Sequence, residues 1–274
     1  MIRVLKGAEP SILTANKAQW TLDLLNRVHE VGGFDKLTEN DKRSFVYHYK
    51  HDDIHTALKN GRPVERCIYC ENDITTGDSN VEHFHPKSLY PNETFEWGNL
   101  FSACIECNRP KGDFDTNALP FIHPVNDDPE VFLSYEMLLI KPRYRAATNQ
   151  VLYEKGKNVI SYCKLDRGEL IPGLSDTLSI ITSKSCELRP LIDQYNKYKE
   201  RRYKEQTARE LMSKLNGLNV LAHPSKERAG FARECLRQNR FVRAAVNIVN
   251  KHAVALGIGT SYNWGWNYNL TPEI

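Results

Sequence analysis

Two Cys-x-x-Cys pairs constrain this chain more than any other feature of its sequence. Cys67 and Cys70 form the first pair, Cys104 and Cys107 form the second, and 33 residues separate the two pairs. Each pair can place two sulfurs on one ion, and two pairs complete a tetrahedral site of four thiolates. Because the protein fills all four positions, such an ion has no place for a reactive water molecule. The spacing therefore predicts a structural Zn²⁺ site.

The remaining cysteines are scattered singly at Cys163, Cys186 and Cys235. A total of seven is odd, which argues against a fully paired disulfide framework in a chain of 274 residues. Metal-binding pairs and single buried thiols are typical of a reducing compartment. No apolar run reaches the ~18 residues of a membrane span, and residues 1–9 lack the apolar core of a signal peptide. We therefore expect a cytoplasmic protein.

Apolar periodicity on both sides of the cysteine region predicts helices. Helices are expected over 16–31, 39–59, 188–215 and 226–256, with Pro224 breaking the chain between the last two. Short strands are expected over 131–140, whose last four residues could also be helical, and over 151–153. The predicted fold class is α+β, mainly helical. We expect an N-terminal helical segment (1–62), a metal-organised module (63–120) and a mainly helical C-terminal region (121–274).

The formal net charge of +3 hides an uneven distribution. Residues 197–243 contain thirteen Lys and Arg against five Asp and Glu, a local +8, so the rest of the chain carries −5. Concentrated basic charge suits a polyanionic partner, and two solvated amphipathic helices would explain it equally well. The candidate nucleic-acid contacts are Arg237 and Arg240, with Arg201, Arg202, Lys204 and Arg243 in the same region.

Spaced polar residues lie between and just after the two cysteine pairs. They are Glu82-His83-Phe84-His85-Pro86-Lys87, Asn99-Leu100, and Cys107-Asn108-Arg109-Pro110-Lys111. In this order they resemble the HNH endonuclease family, whose ββα-metal finger is often pinned at its ends by two Cys-x-x-Cys pairs. The resemblance covers residues 67–112. It implies an HNH nuclease module, stapled by the Cys₄ zinc site and embedded between N-terminal and C-terminal helices.

The resemblance also implies an activity, the metal-dependent hydrolysis of phosphodiester bonds in DNA or RNA. His83 would be the general base, because a neutral imidazole that titrates near neutrality can accept the proton of an attacking water. Asn99 would orient that base. Glu82 and Asn108 would offer oxygen ligands to one catalytic Mg²⁺ or Mn²⁺. Two candidate phosphate contacts complete the site: Lys87 and Lys111.

Two positions depart from the commonest pattern of the family. Glu82 stands where Asp is more usual, and Asn108 stands where the family name implies His. Both keep a suitable ligand and leave the choice of metal open. His85 is ambiguous, since it could contact metal or phosphate or simply pack beside Pro86. The pair His51 and His55 has a spacing that could bind metal, but both residues are expected on the second helix without such a role.

A wider resemblance begins at the N-terminus, where Met1-Ile2-Arg3-Val4 and Glu9-Pro10 precede the helical pair and the Cys67 motif. Over this wider range the chain resembles the HNH component of Septu and retron-associated antiphage systems. The implied partners are a nucleic acid substrate, an ABC- or SMC-like ATPase subunit and, in a retron system, a reverse transcriptase with its DNA and RNA. The implied role is destruction of nucleic acid during phage infection.

Two other functions remain open. A zinc-stabilised nucleic-acid-binding module without catalysis would explain the four cysteines, but it gives no reason for Glu82, His83, Asn99 and Asn108 at their spacings. A restriction or mobile-element HNH nuclease without an ATPase partner keeps the chemistry and changes the biology.

Overall fold

The computed structural model describes residues 1–59, 65–75 and 79–268. Contacts along the chain divide these residues into two compact units. The first comprises Met1–Leu133 and Ile140–Arg167, and the second comprises Ser134–Leu139 and the residues from Gly168 onward.

The first unit begins with a long helix and continues through short elements. Its helices and strands are α1 (Ser11–Val31), α2 (Glu39–Asp41), α3 (Asp52–Lys59), β1 (Ser79–His83), β2 (Leu100–Cys104), α4 (Ile105–Lys111), α5 (Pro129–Phe132) and α6 (Gln150–Tyr162). Helix α1 begins earlier than predicted. It ends where Gly32 takes a left-handed φ of 82° and donates its N–H to the carbonyls of Val28 and His29.

The predicted continuous helix over 39–59 is wrong. The chain forms α2, whose N-cap Thr38 makes a capping box with Asp41, and then passes through a π-helical turn and a 3₁₀ turn before α3 begins. These irregular turns let Val46 and Tyr49 face inward together with Leu13 and Leu24 of α1. The resulting apolar cluster supports one side of the β-strands through Leu100.

Strands β1 and β2 form an antiparallel pair in which Glu82 lies opposite Phe101 and His83 lies opposite Leu100. All five residues of β2 are buried, so this strand is an interior element of the first unit. Helix α4 follows β2 without a loop, with Cys104 as its N-cap residue. The order is strand, strand, helix.

Two further strands, β3 (Leu133–Glu136) and β4 (Leu139–Pro142), form a second two-stranded sheet. This agrees with the strands expected over 131–140, except that α5 takes the first residues. The strand expected over 151–153 is wrong, because Asn149 caps a helix there by accepting a hydrogen bond from the Leu152 N–H.

The second unit is helical and packs around one apolar cluster. Its helices are α7 (Ile171–Cys186), α8 (Leu188–Lys197), α9 (Arg201–Asn219), α10 (Ala229–Gln238), α11 (Arg240–Lys251) and α12 (Ala253–Leu256). The predicted helix over 188–215 is therefore two helices, and the one over 226–256 is three. Asn239 causes one break, since its side chain accepts hydrogen bonds from the N–H groups of Phe241 and Val242.

Leu211, Leu215 and Leu218 of α9 meet Val242 and Val249 of α11 in the centre of this cluster. The predicted class, α+β and mainly helical, is confirmed. Within the described ranges, none of the helices is both long enough and apolar enough to pass through a bilayer.

Candidate metal centre and catalytic site

The structure brings the four predicted cysteines together. The sulfurs of Cys67, Cys70, Cys104 and Cys107 all lie within 4.8 Å of one another, and those of Cys70 and Cys104 are 3.7 Å apart. Four sulfurs at about 2.3 Å from one Zn²⁺ in a tetrahedron would stand about 3.8 Å apart, so the cluster has the dimensions of such a site. Among the described residues it is also the one group of three or more Cys, His, Asp or Glu side chains placed to share an ion.

Local backbone geometry sets the first cysteine pair. The Cys67 N–H donates to the Asn72 carbonyl, and the Glu71 N–H donates back to the Cys67 carbonyl. Glu71 closes this turn with a left-handed φ of 63°. The Ile68 N–H donates to the Ser102 carbonyl of β2, which joins the turn to the strand leading to Cys104.

Electrostatics favour a cation in the cluster. Hydrogen bonds from Cys104 and the other thiols lower the pKa of Cys70, whereas the hydrogen bond with Cys104 raises the pKa of Cys107 and burial raises that of Cys67. Thiols alone could therefore ionise only in part. A bound dication would let all four do so, and the buried Cys₄ cluster is consistent with structural zinc.

One cation of the protein already contacts the cluster. The Arg167 guanidinium donates to the Cys107 sulfur at 3.3 Å and reaches the Cys104 sulfur at 3.9 Å. It is held in place by the carbonyls of Cys163 and Lys164 just before it in the chain. No local sequence pattern singles out this residue, since 60 positions separate Arg167 from Cys107.

Glu82 lies in β1 next to the cluster and is buried with two polar partners. Its Oε1 accepts a hydrogen bond from the Tyr69 hydroxyl at 2.9 Å and stands 2.6 Å from the Lys111 ammonium. Tyr69 belongs to the first Cys-x-x-Cys turn and Lys111 ends α4, so Glu82 links the cysteine turn to the helix. Burial is nearly complete for both charged side chains, at 3% exposed for Glu82 and 0% for Lys111.

His83 is buried in a setting that differs from the prediction. Burial lowers the pKa of His83 well below the ordinary value, and the positive charges of Lys87 and Lys111 lower it further. The hydrogen bond with the Thr94 carbonyl raises this pKa and offsets part of the shift. The expectation of a group that titrates near neutrality is therefore wrong. Because a carbonyl only accepts, His83 Nε2 donates to the Thr94 oxygen at 3.0 Å, which leaves Nδ1 as the proton-accepting atom of the neutral ring.

Asn99 acts on the backbone that follows His83. Its Oδ1 accepts from the His85 N–H at 2.6 Å, and its Nδ2 donates to the carbonyls of His85 and Glu93 at 3.0 and 3.1 Å. The prediction gave Asn99 a hydrogen bond that orients the His83 base. In the structure the amide bonds instead to the backbone of His85 and Glu93.

His85, which the sequence left ambiguous, forms a defined polar pair. Its Nδ1 donates to Glu93 Oε2 at 2.6 Å, and a quarter of its side chain is exposed. The ring thus has one nitrogen fixed by a carboxylate, while Nε2 remains the basic atom of the neutral form. Glu93 had no role in the sequence-based site.

Asn108 and Lys87 complete the part of the site near β1 and α4. Asn108 follows Cys107 in α4 and is half-buried. The Lys87 ammonium lies 5.6 Å from the centroid of the Tyr49 ring, and the same ring packs edge-on against His83 at 4.6 Å. Burial lowers the pKa of Lys87, and the nearby charge of Glu82 opposes this shift. Tyr49, which the predicted helix did not single out, therefore contacts both residues.

The two predicted basic contacts in the second unit differ in exposure. Arg237 is buried, and its guanidinium pairs with Glu234 and donates twice to the Asn267 carbonyl. Arg240 begins α11 and is exposed. Arg201, Arg202 and Arg243 are exposed and Lys204 is half-buried. The structure thus leaves Arg240 accessible to a large ligand and commits Arg237 to internal contacts.

Part of the chain is similar to a known protein. Over 66 residues it is 42% identical to the Septu protein PtuB of Bacillus thuringiensis, a stretch that covers 23% of this chain and 26% of that relative. The similarity therefore spans about a quarter of the relative's length. No family model and no solved structure matches the chain. The predicted resemblance to a Septu component is confirmed for that stretch.

Proposed function

We propose that this chain is a metal-dependent endonuclease of the HNH type, which hydrolyses phosphodiester bonds in DNA or RNA. One observation carries the proposal: Glu82 and His83 lie in β1, which pairs antiparallel with β2, and β2 runs directly into α4, which contains Cys107 and Asn108. This order agrees with the ββα-metal finger that the resemblance to the HNH family implies.

Two metal sites belong to the proposal. Cys67, Cys70, Cys104 and Cys107 would hold a structural Zn²⁺, for which the number, type and spacing of the donors fit. Glu82 and Asn108 would hold a catalytic Mg²⁺ or Mn²⁺, because carboxylate and amide oxygens suit a hard cation. When bound, this second ion would stabilise charge on the phosphate and on the leaving oxygen.

The chain's own residues would handle the proton and the phosphate. His83 would take the proton of the attacking water at Nδ1; its lowered pKa keeps the ring neutral but also makes it a weaker base in the described conformation. Lys87 would offer positive charge to a phosphate oxygen. Asn99 would keep the backbone after β1 in place through its three hydrogen bonds.

The ion pair of Glu82 with Lys111 would have to open for this chemistry. In the structure Lys111 supplies the positive charge that neutralises the Glu82 carboxylate and also donates to the His83 carbonyl. Lys111 would have to leave Glu82 before that carboxylate could hold an ion, and its ammonium could then contact phosphate, the role expected for it. We infer that the described conformation is a resting one.

The biological role in this proposal is that of an effector nuclease in a Septu- or retron-type antiphage system. The partial similarity to PtuB supports it. The partners would be the nucleic acid, an ABC- or SMC-like ATPase of the PtuA type and, in a retron system, a reverse transcriptase with its DNA and RNA. The exposed Arg240 is a candidate contact for one of them.

The test is a nuclease assay with Mg²⁺ or Mn²⁺, on the chain alone and together with an ATPase encoded beside it. Plasmid, single-stranded DNA and tRNA are offered in parallel. We expect the wild type to cleave one of them and His83→Ala to lose at least about 100-fold in rate, the usual contribution of a general base. His29→Ala, an exposed histidine of α1, is the matched control and should keep full activity.

A second candidate function is a zinc-stabilised nucleic-acid-binding module without catalysis. The burial of Glu82 and His83 and the neutralising contact with Lys111 favour it. If every substrate stays intact while zinc is bound and nucleic acid is retained, this function replaces the nuclease. An HNH nuclease of a restriction system or mobile element would cleave without any ATPase, and the neighbouring genes would distinguish it.

A further inference from the structure

The aromatic segment near the end of the described chain lines a cavity in the second unit. This cavity has a volume of about 600 Å³, within the range of small-molecule sites. Its walls come from the end of α9, the turn after it, α10 and the segment around Trp264 and Trp266. The nuclease proposal does not use these tryptophans.

The tryptophan walls are held rigidly. Trp266 Nε1 donates to Asn219 Oδ1 at 2.7 Å, and Asn219 Nδ2 donates to the Trp264 carbonyl at 3.0 Å. Trp264 also stacks on Tyr268, with ring centroids 4.9 Å apart and planes 8° from parallel. Trp266 is half-buried, and a flat indole that is fixed in this way offers a stacking surface at little cost in side-chain entropy.

One buried donor of the cavity lining lacks a partner. Trp264 is only 4% exposed, and its Nε1 has no hydrogen-bond acceptor within the described residues. A buried N–H without an acceptor costs about 1–3 kcal/mol, so native structures usually supply one. A ligand oxygen or nitrogen inside the cavity would satisfy it.

The charges at the cavity are all of one sign. Lys226 and Arg233 line it, and the described lining includes no acidic side chain. The Lys226 side chain is exposed, and Arg233 lies with its guanidinium carbon 5.3 Å from the centroid of the Trp266 ring. His223 adds an exposed imidazole to the same rim. The cavity therefore suits a ligand that is both aromatic and anionic.

We propose that this cavity binds a nucleotide unit, with the base against Trp266 and the phosphate near Lys226. The unit could be a free mononucleotide or the phosphorylated end of a single strand, since both present the same chemistry. This site is independent of the proposed nuclease site, because all of its lining residues belong to the second unit.

The test uses the full chain labelled with ¹⁵N at its four tryptophans. The indole N–H signal of Trp264, assigned with Trp264→Phe, should move when AMP or UMP is added. Calorimetry should show that Trp266→Leu weakens binding about tenfold, the loss expected for one stacked base. Lys226→Ala should weaken it several-fold and reduce its dependence on salt. Lys251→Ala, an exposed lysine at the end of α11, should leave it unchanged.

A comparison of ligands shows whether the bound nucleotide unit is a free mononucleotide or the end of a strand. Equal affinity for AMP and for a 5′-phosphorylated pentanucleotide indicates a free nucleotide, and tighter binding of the pentanucleotide indicates a strand end. Adenosine and inorganic phosphate alone should each bind at least tenfold more weakly. The proposal is overturned if neither AMP nor the pentanucleotide binds at about 5 mM, or if Lys226→Ala and Trp266→Leu both bind like the wild type. Because Lys226 is exposed, its variant remains informative even if Trp266→Leu fails to fold.

Discussion

The two units of this protein use different means to hold their interiors together. In the first unit, polar groups and sulfurs fill much of the space around β1, β2 and α4, where Glu82, His83, Asn99 and Lys111 are all buried. In the second unit, α8, α9 and α11 enclose a continuous cluster of Leu, Ile, Val and Ala side chains. Buried polar groups demand specific partners, whereas aliphatic side chains demand only volume and shape.

This difference shows where each unit is vulnerable. Around the cysteine cluster, the loss of one partner leaves a charge or a thiolate buried without compensation. In the helical cluster, the loss of a side chain leaves a cavity that neighbours can partly fill. The first arrangement suits chemistry, because polar groups there are already desolvated and oriented. The second suits a scaffold.

The largest effect is expected from removing a cysteine ligand. Cys67→Ser or Cys104→Ser should unfold the region around β1, β2 and α4, because a structural zinc contributes about 10 kcal/mol or more to folding. The second unit should keep its helices. Bound zinc, measured by mass spectrometry, and thermal unfolding followed by circular dichroism report both effects.

Cys186→Ser provides the control, since Cys186 is an exposed single thiol of α7. It should retain zinc and melt like the wild type. A Cys67→Ser protein with full zinc content and unchanged melting would show that the first unit does not depend on the cysteine cluster for its stability.

The next effect should come from the buried ion pair. Lys111→Met leaves the buried Glu82 carboxylate with a hydrogen bond from Tyr69 but without its cation, and this should cost about 3–5 kcal/mol in the free energy of unfolding. Adding Glu82→Gln to the same protein should recover most of that loss, because the buried charge disappears. Urea unfolding of the single and double variants measures the coupling.

Lys17→Met is the matched control for this pair. Lys17 joins Glu9 and Glu96 near the surface, with 30% of its side chain exposed, and such pairs contribute about 1 kcal/mol or less. Equal losses for Lys17→Met and Lys111→Met would mean that burial does not distinguish the site from the surface.

A comparable or slightly smaller loss is expected in the helical unit. Leu215→Ala removes a fully buried side chain of α9 and should cost about 2–5 kcal/mol. Unlike the cysteine variants, it should keep its zinc, and a chelator should not change the size of the effect. Val254→Ala, at an 88% exposed position of α12, should change stability by no more than about 0.5 kcal/mol.

The smallest effect concerns the cap of α2 and depends on pH. Hydrogen bonds from Arg27 and Thr38 lower the pKa of Asp41 from 3.8 to about 2. Its ionised form therefore stabilises the folded state above about pH 4, and this contribution is lost as the pH falls from 4 to 2. Asp41→Asn should melt below the wild type at pH 7, and the difference should shrink below pH 4. Asp193→Asn, at an exposed position of α8, should show no such dependence on pH.

Features fixed by local spacing were predictable from the sequence. The two Cys-x-x-Cys pairs predict one cluster because each short turn leaves few ways to direct two sulfurs. The helical character of the second unit follows from its apolar periodicity. Helix breaks were missed where a single side chain decides them, as at Asn239, and the helix at Gln150 was missed because its Asn149 cap outweighed the β-branched residue that follows.

The details of the candidate site depend on contacts that no local pattern carries. Tyr49 reaches His83 only because the chain between α2 and α3 leaves the regular α-helix. Lys111 was assigned to phosphate from its place in the motif, while burial next to Glu82 determines its actual partner. The lowered pKa of His83 likewise results from residues packed around it, which the sequence alone did not place.

The contact of Arg167 with the cysteine cluster sets how much chain is needed for this metal centre. A fragment covering residues 63–120 would contain all four cysteines of the cluster. It would lack Arg167, whose guanidinium donates to Cys107, and helix α6, which leads to Arg167. The ligands thus mark only the inner part of the folding unit. The part of the chain that completes this metal centre extends at least to residue 167. The motif alone, moved to another protein, would therefore lose the positive charge that Arg167 places beside Cys107.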